Sequence, residues 1–423
     1  MSMITEKSVI LQAGNKYIIH MKTYLKRTAS AIVMAICSIT AFCSCDNAGN
    51  DSGKARYIFV FIGDGMGAGH AAVTESYLSY QAGKLGGEEL CFTQFPVLGT
   101  CTTYSADHHI TCSSASGTAI ACGEKTLNGY LGVNPDGERL KSIAYDLKEE
   151  GYNIGITSSV PINHATPASF YGHNTDREDY YNISMEIPES GFDLFGGSGF
   201  LQYSGKDGDK TPTPEVLESK GYNVCFGAEE FRQEMDSSEH IVFIQPSGKA
   251  ENAGNYEVEK PDEEDSRLAE MLQMGIDFLG DDEPFFIMCE GGEIDWAAHD
   301  NMTMPMIDAV LRFNEAVETA YHFYQEHPTE TLIIVTADHE TGGITLGSNG
   351  TSTIYWDELV KAYEGGAAPA TREEKKNLND KVCIGWTTDN HTGAPVPLYA
   401  IGKGAEKFAG RMDNTDIKGK ILN

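Results

Sequence analysis

A chain of 423 residues, 41% of them hydrophobic, can bury the core of one large α/β domain or of two domains. Its 62 acidic and 31 basic residues give a net charge of −31, so nothing is basic enough to track a nucleic-acid backbone. The acidity describes a soluble surface, and a site for a phosphate would need its positive charge from elsewhere, such as bound metals.

The N-terminus reads as a targeting segment rather than as fold. Residues 1–20 look like neither a signal nor a domain, which makes Met21 a candidate start. Lys22, Lys26 and Arg27 then precede an apolar run from Ala29 to Phe42, too short to span a bilayer. The sequence Phe42-Cys43-Ser44-Cys45-Asp46 is similar to a bacterial lipoprotein signal, with Cys45 as the acylated residue, Cys43 as the alternative, and a plain cleaved signal as the simpler reading. The expectation is a signal segment over 1–44 and a single domain over 45–423, exported to the periplasm or cell envelope and held there by lipid. Export permits disulfides, but the cysteines beyond the signal (91, 101, 112, 122, 225, 289 and 383) are odd in number and contain no C-x-x-C pair.

Short apolar, β-branched runs predict buried strands at Tyr57–Ile62, Tyr152–Thr157, Ile241–Ile244, Phe285–Cys289 and Thr331–Thr336. Helical periodicity lies between them at Leu140–Glu149, Arg267–Leu279 and Met306–Tyr324. Such alternation predicts a three-layer α/β sandwich, a mostly parallel central sheet with helices on both faces. The stretches near 247–265 and 346–380 read as surface insertions. Four strands end on residues able to do chemistry: Asp64, Ser158, Glu290 and the pair Asp338-His339. Sites in open α/β sheets form beyond the carboxyl ends of strands, so four such endings point to one shared site.

Each chemical motif also has an ordinary structural explanation. Gly63-Asp64-Gly65 is an acidic turn, or a carboxylate whose glycines let two cations approach. Ser113, in Thr111-Cys-Ser-Ser-Ala-Ser-Gly-Thr118, caps a helix, or is a nucleophile at a helix N-terminus where an anion is favoured. Asp295 and His299 are a surface pair four apart, or two ligands gripping one metal from one helix face. Asp338-His339 closes a strand as a polar turn, or supplies a second metal; His391 is a loop histidine, or another ligand. Thr166 offers a hydroxyl, and the planar fork of Arg177 suits two phosphate oxygens. Taken together, mixed carboxylate and imidazole sets suit zinc, and an all-oxygen set suits magnesium.

In order, I-G-D-G-M-G, T-C-S-S-A-S-G-T-A, H-A-T-P-A-S, T-D-R, E-G-G-E-I-D-W-A-A-H, T-A-D-H-E and H-T-G resemble the motifs of the alkaline phosphatase family over nearly the whole mature chain. The resemblance implies phosphate-monoester hydrolysis at a site with two Zn2+ and one Mg2+, a role in phosphate scavenging, and a homodimer. It implies that Ser113 becomes phosphoserine and Arg177 clamps phosphate. It assigns Asp295, His299 and His391 to one zinc, Asp338 and His339 to the other, and Asp64 to that zinc and magnesium jointly. Thr166 and Glu290 complete the magnesium set. Cys112 departs from the family's common Asp, while His164 and Trp296 stand at variable positions; all three bear on metal or phosphate affinity. A sulfatase would need C/S-x-P/A-x-R, and Cys112-Ser-Ser-Ala-Ser116 lacks the arginine. A phosphodiesterase of the same superfamily usually has Thr as nucleophile and no clamping arginine. A metal-binding surface lipoprotein without turnover is the remaining alternative.

Overall fold

The computed structural model describes residues 53–249, 265–364 and 368–423. The expected signal segment with Cys45, and most of the loop expected at 247–265, lie outside the described residues. Ten strands form the main sheet: β1 (Tyr57–Gly63), β2 (Val97–Thr102), β3 (Asn153–Ser158), β4 (Leu194–Gly197), β5 (Asn223–Phe226), β6 (Ile241–Ile244), β7 (Phe285–Gly291), β8 (Thr331–Thr336), β9 (Val396–Gly402) and β10 (Gly410–Asp413). Their order is β10-β2-β9-β8-β1-β7-β3-β4-β6-β5. Only β9 runs against its neighbours. The helices used below are α1 (Ala68–Gln81), α2 (Ser113–Cys122), α3 (Ile143–Glu149), α4 (Ala165–Ala168), α5 (Leu268–Leu279), α6 (Glu293–His299), α7 (Thr303–Glu326), α8 (Trp356–Tyr363) and α9 (Arg372–Val382).

The strands at the centre are continuous apolar runs because both of their faces are covered. Every residue of β1, β7 and β8 is buried. Neighbouring residues of β7 turn to opposite faces: Phe285 packs on Phe323 of α7, and Phe286 on Phe170, which follows α4. This is the expected α/β sandwich. All five expected strands and all three expected helices are present, with ends shifted by a few residues; α3, for example, starts at Ile143.

Register decides where the chemistry lies. Gly63 pairs with Gly291, Ile62 with Thr336, and Ser158 with Glu290. The carboxyl ends of β1, β3, β7 and β8 therefore lie level, and the residues leaving them face one another. The stretch 346–380 carries α8 and much of α9 and is anchored by buried Trp356 and Leu359, with Trp356 packed against Tyr77 of α1. The seven cysteines among the described residues are free thiols. Among the described residues, no helix is long and apolar enough to cross a membrane.

Candidate active site

Ser113 is the first residue of α2, and extended Cys112 precedes it. Small side chains let this helix lie close to its neighbour: a Cβ added at Gly117 would stand 2.6 Å from Ser169 Oγ, just past α4. The Ser116 hydroxyl donates to the Asp338 carbonyl at 2.6 Å, tying the first turn of α2 to the end of β8. Ser113 Oγ thereby lies 3.2 Å from His339 Nε2.

Around these two residues lies a floor of acids. His339 Nε2 is 3.4 Å from Asp64 Oδ1 and 3.2 Å from Asp338 Oδ2. Thr166 Oγ1 is 3.4 Å from Asp64 Oδ2. Glu290 accepts a short bond from the Ser158 hydroxyl. Asp64 Oδ1, Asp338 Oδ2 and Glu290 Oε1 are buried with no hydrogen-bond partner. Burial pushes all three carboxyls up, and neighbouring acids push them further: Asp64 well above its ordinary range, Asp338 to about 7 and Glu290 to about 8. Burial also holds His339 well below the ordinary range of an imidazole, as a neutral ring. Orphaned oxygens crowded around a neutral imidazole fit cations. Gly65 makes room for this crowding: its φ is +72°, and a Cβ there would stand 2.9 Å from both Asp295 Oδ1 and Thr341 Oγ1.

A second group forms the rim. His299 Nε2 and His391 Nε2 are 3.0 Å apart, and lie 3.4 Å and 3.7 Å from the Asp295 carboxylate. Each ring donates from Nδ1 to a backbone carbonyl, His299 to Asp389 at 2.7 Å and His391 to Thr111 at 2.8 Å. In neutral rings both Nε2 atoms then present lone pairs to each other, an arrangement that a shared cation resolves. The bond with Asp295 raises His299 to about 9, and burial lowers His391. The rings of His391 and His339 stack at 3.5 Å, so rim and floor are contiguous.

In each of three groups the ligand atoms lie within 4.8 Å of one another: Asp295, His299 and His391; Asp64, Asp338 and His339; and Asp64, His164 and Glu290. All eight expected metal-site residues and Ser113 belong to this assembly. Arg177 reaches it through its guanidinium, 3.4 Å from His164 Nε2, while its backbone N–H donates to Gly129 O at 2.9 Å. The sequence reading missed His164 as a ligand candidate. Its Nδ1 is buried without a partner, and burial lowers its pKa to about 3. The clue was its place at the head of His-Ala-Thr, two residues before Thr166. Trp296 packs edge-on against its ring at 5.8 Å.

A level row of parallel strand ends, with a hydroxyl on the first residue of a helix and clustered carboxylates and imidazoles, defines an α/β-sandwich hydrolase. Residues 55–198 and 249–423 match the family model described as alkaline phosphatase. The chain is 30% identical to alkaline phosphatase 4 of Bacillus subtilis, over 86% of this chain and 88% of that one. The structure of the alkaline phosphatase from the Antarctic bacterium TAB5 aligns at a TM-score of 0.70 and 30% identity, covering 87% of this chain and 98% of that one. A cold-active alkaline phosphatase from Shewanella aligns at a TM-score of 0.74 and 26% identity, over 86% and 98%. Streptomycin-6-phosphate phosphatase of Streptomyces griseus is 25% identical over 93% and 95% of the two chains. The chain belongs to the alkaline phosphatase family and is a phosphomonoesterase.

Proposed function

We propose that the chain hydrolyses phosphate monoesters through a phosphoserine at Ser113, in a site for two zinc ions and one magnesium ion. The observation that carries this reading is Ser113 Oγ lying 3.2 Å from His339 Nε2, at a helix N-terminus and beside the ligand groups. Asp295, His299 and His391 would hold one zinc, and Asp338, His339 and Asp64 the other. Asp64, Thr166 and Glu290 would hold magnesium. When bound, the ions would lower the pKa of the hydroxyl and neutralise charge on the attacking and leaving oxygens.

Ser113 Oγ attacks phosphorus, the bond from phosphorus to the ester oxygen breaks, the proton given up by the serine leaves with the alcohol, and water then splits the O–P bond of phosphoserine, restoring the hydroxyl and releasing inorganic phosphate. The N–H groups opening α2 and the Arg177 fork hold the non-reacting oxygens. Burial keeps His339 neutral, so its Nε2 lone pair stays available as a ligand. A variant of the TAB5 enzyme carries Mg in a site called M3. The all-oxygen set suits that ion here, whereas the His164 nitrogen would draw a borderline ion such as zinc.

Acid quenching during turnover of a model aryl phosphate, followed by peptide mapping, should find phosphate on Ser113. Phosphate on another residue, or full activity in Ser113→Ala, would sink the assignment. Parallel assays on a diester and a sulfate ester should show little turnover. The same reading carries export, acylation of Cys45, a homodimer and phosphate scavenging. Lipid labelling of Cys45→Ala and the solution mass test the acylation and the dimer.

A further inference from the structure

Three side chains on one face of α9 point back to the rim of the site. Arg372, Lys375 and Asn379 recur at helical spacing, so they share that face. Arg372 pairs with the Asp389 carboxylate at 2.7 Å, and the carbonyl of Asp389 holds His299 Nδ1. Lys375 is 3.3 Å from Asp300, the residue after His299. Asn379 is buried and uses both ends of its amide. Its Nδ2 donates to Asn301 O and its Oδ1 accepts from the Thr303 hydroxyl, each at 2.8 Å.

Asn301 closes the circuit. Its φ is +52°, a left-handed conformation that needs local support in a residue with a side chain. With its amide turned to donate, it reaches Ala298 O at 3.1 Å and Thr388 O at 2.9 Å. Thr303 Oγ1 also accepts from Trp386 Nε1 at 3.0 Å. The turn that ends α6 just after His299 and the segment 386–391 that leads to His391 are thus joined through one buried amide on α9. The floor residues Asp64, Glu290, Asp338 and His339 stand instead on or just past β1, β7 and β8.

We propose that Asn379 is a positioning residue for the Asp295/His299/His391 metal site, and that α9 is the brace through which it acts. The proposal rests on reading those three residues as a zinc site. Arg372 and Lys375 are outer ties, exposed or facing an exposed partner, while Asn379 is the tie shielded from water. Its loss releases the strained turn at Asn301 and lets the two imidazoles drift from their common point. The floor site keeps its geometry.

The test is the rate at which zinc leaves the loaded protein when excess chelator is added, read by the chelator's absorbance. His299→Ala first identifies the phase that belongs to the rim ion, because that phase disappears. In Asn379→Ala this phase should accelerate about three- to tenfold, with the other phase changed less than about twofold. Asn379→Asp keeps the size and the acceptor for Thr303 but loses the donor to Asn301, and should accelerate the same phase. Should Asn379→Ala not fold, Arg372→Ala with Lys375→Ala should still speed the rim phase, by about twofold. Equal acceleration of both phases, or none in any variant, overturns the brace. If His299→Ala retains both phases, the zinc-site reading itself falls and takes the brace with it.

Discussion

Floor and rim hold similar ligands by different means. Asp64, Asp338, His339 and Glu290 are fully buried, and each sits at or next to the end of a central parallel strand. On the rim, the side chains of His299 and His391 are 37% and 15% exposed. These rings are aimed by carbonyls of loops, Asp389 O and Thr111 O. The floor is therefore fixed by sheet register, which cannot shift by one residue without turning every side chain over. The rim is fixed by hydrogen bonds that can loosen while the fold survives.

The largest expected effect lies where the two regions meet. Under the proposed phosphoserine route, Ser113→Ala should lower phosphate release on the order of 10^4-fold or more, with metal content unchanged. Asp64→Ala and His391→Ala then divide floor from rim. Each should weaken metal binding at least about 100-fold, more than is typical for loss of an outer partner. Asp64→Ala should disturb two ions, since Asp64 belongs to two of the three ligand groups, and His391→Ala only one. Metal analysis after dialysis reads the difference; equal losses would erase the distinction.

The same contrast decides what was legible in the sequence. Floor residues could be read because a buried parallel strand is a visible apolar run, and a polar residue breaking its end is conspicuous. Asp295 and His299 showed their shared helix face by spacing alone. His391 could be placed only by resemblance: it lies in a two-residue pairing with Thr341, too short for any periodicity. Strands β4, β5 and β9 escaped because their apolar runs are interrupted: β4 ends in Gly196-Gly197, β5 opens on Asn223, and β9 carries Pro397. β2 is buried at Gly99 and Cys101 but exposes Leu98 and Thr100, so no apolar run marked it. The role of α9 was invisible because its ties reach residues up to 78 positions away.

Arg177 sharpens the comparison from the substrate side. It touches the third ligand group through His164. Arg177→Ala should raise the inhibition constant of inorganic phosphate about 10- to 100-fold, as expected for loss of a bidentate charged contact. Metal content should not change. An unchanged inhibition constant would remove Arg177 from the phosphate site.

The smallest effect concerns the metal-free protein, where the crowding of the floor is left uncompensated. Burial and neighbouring charge hold Asp338 at about 7 and Glu290 at about 8. In the unfolded chain these carboxyls titrate near 4. Between about pH 4 and pH 8 these two carboxyls bind more protons in the folded state than in the unfolded one, so their contribution to stability falls as pH rises through that window; the buried histidines oppose it only below about pH 6.5. The metal-free protein should melt about 5 °C lower at pH 9 than at pH 6. Self-repulsion in a chain of net charge −31 contributes to the same slope, so the informative quantity is the slope of Glu290→Gln. That variant removes one crowded charge and should flatten the dependence up to about pH 8, whereas His299, held at about 9 by Asp295, adds a separate fall above about pH 6.5 that His299→Ala should remove. Metal loading should reverse the sign, because ligands must lose their protons to bind. A Glu290→Gln slope equal to that of the parent would place the pH dependence outside the floor.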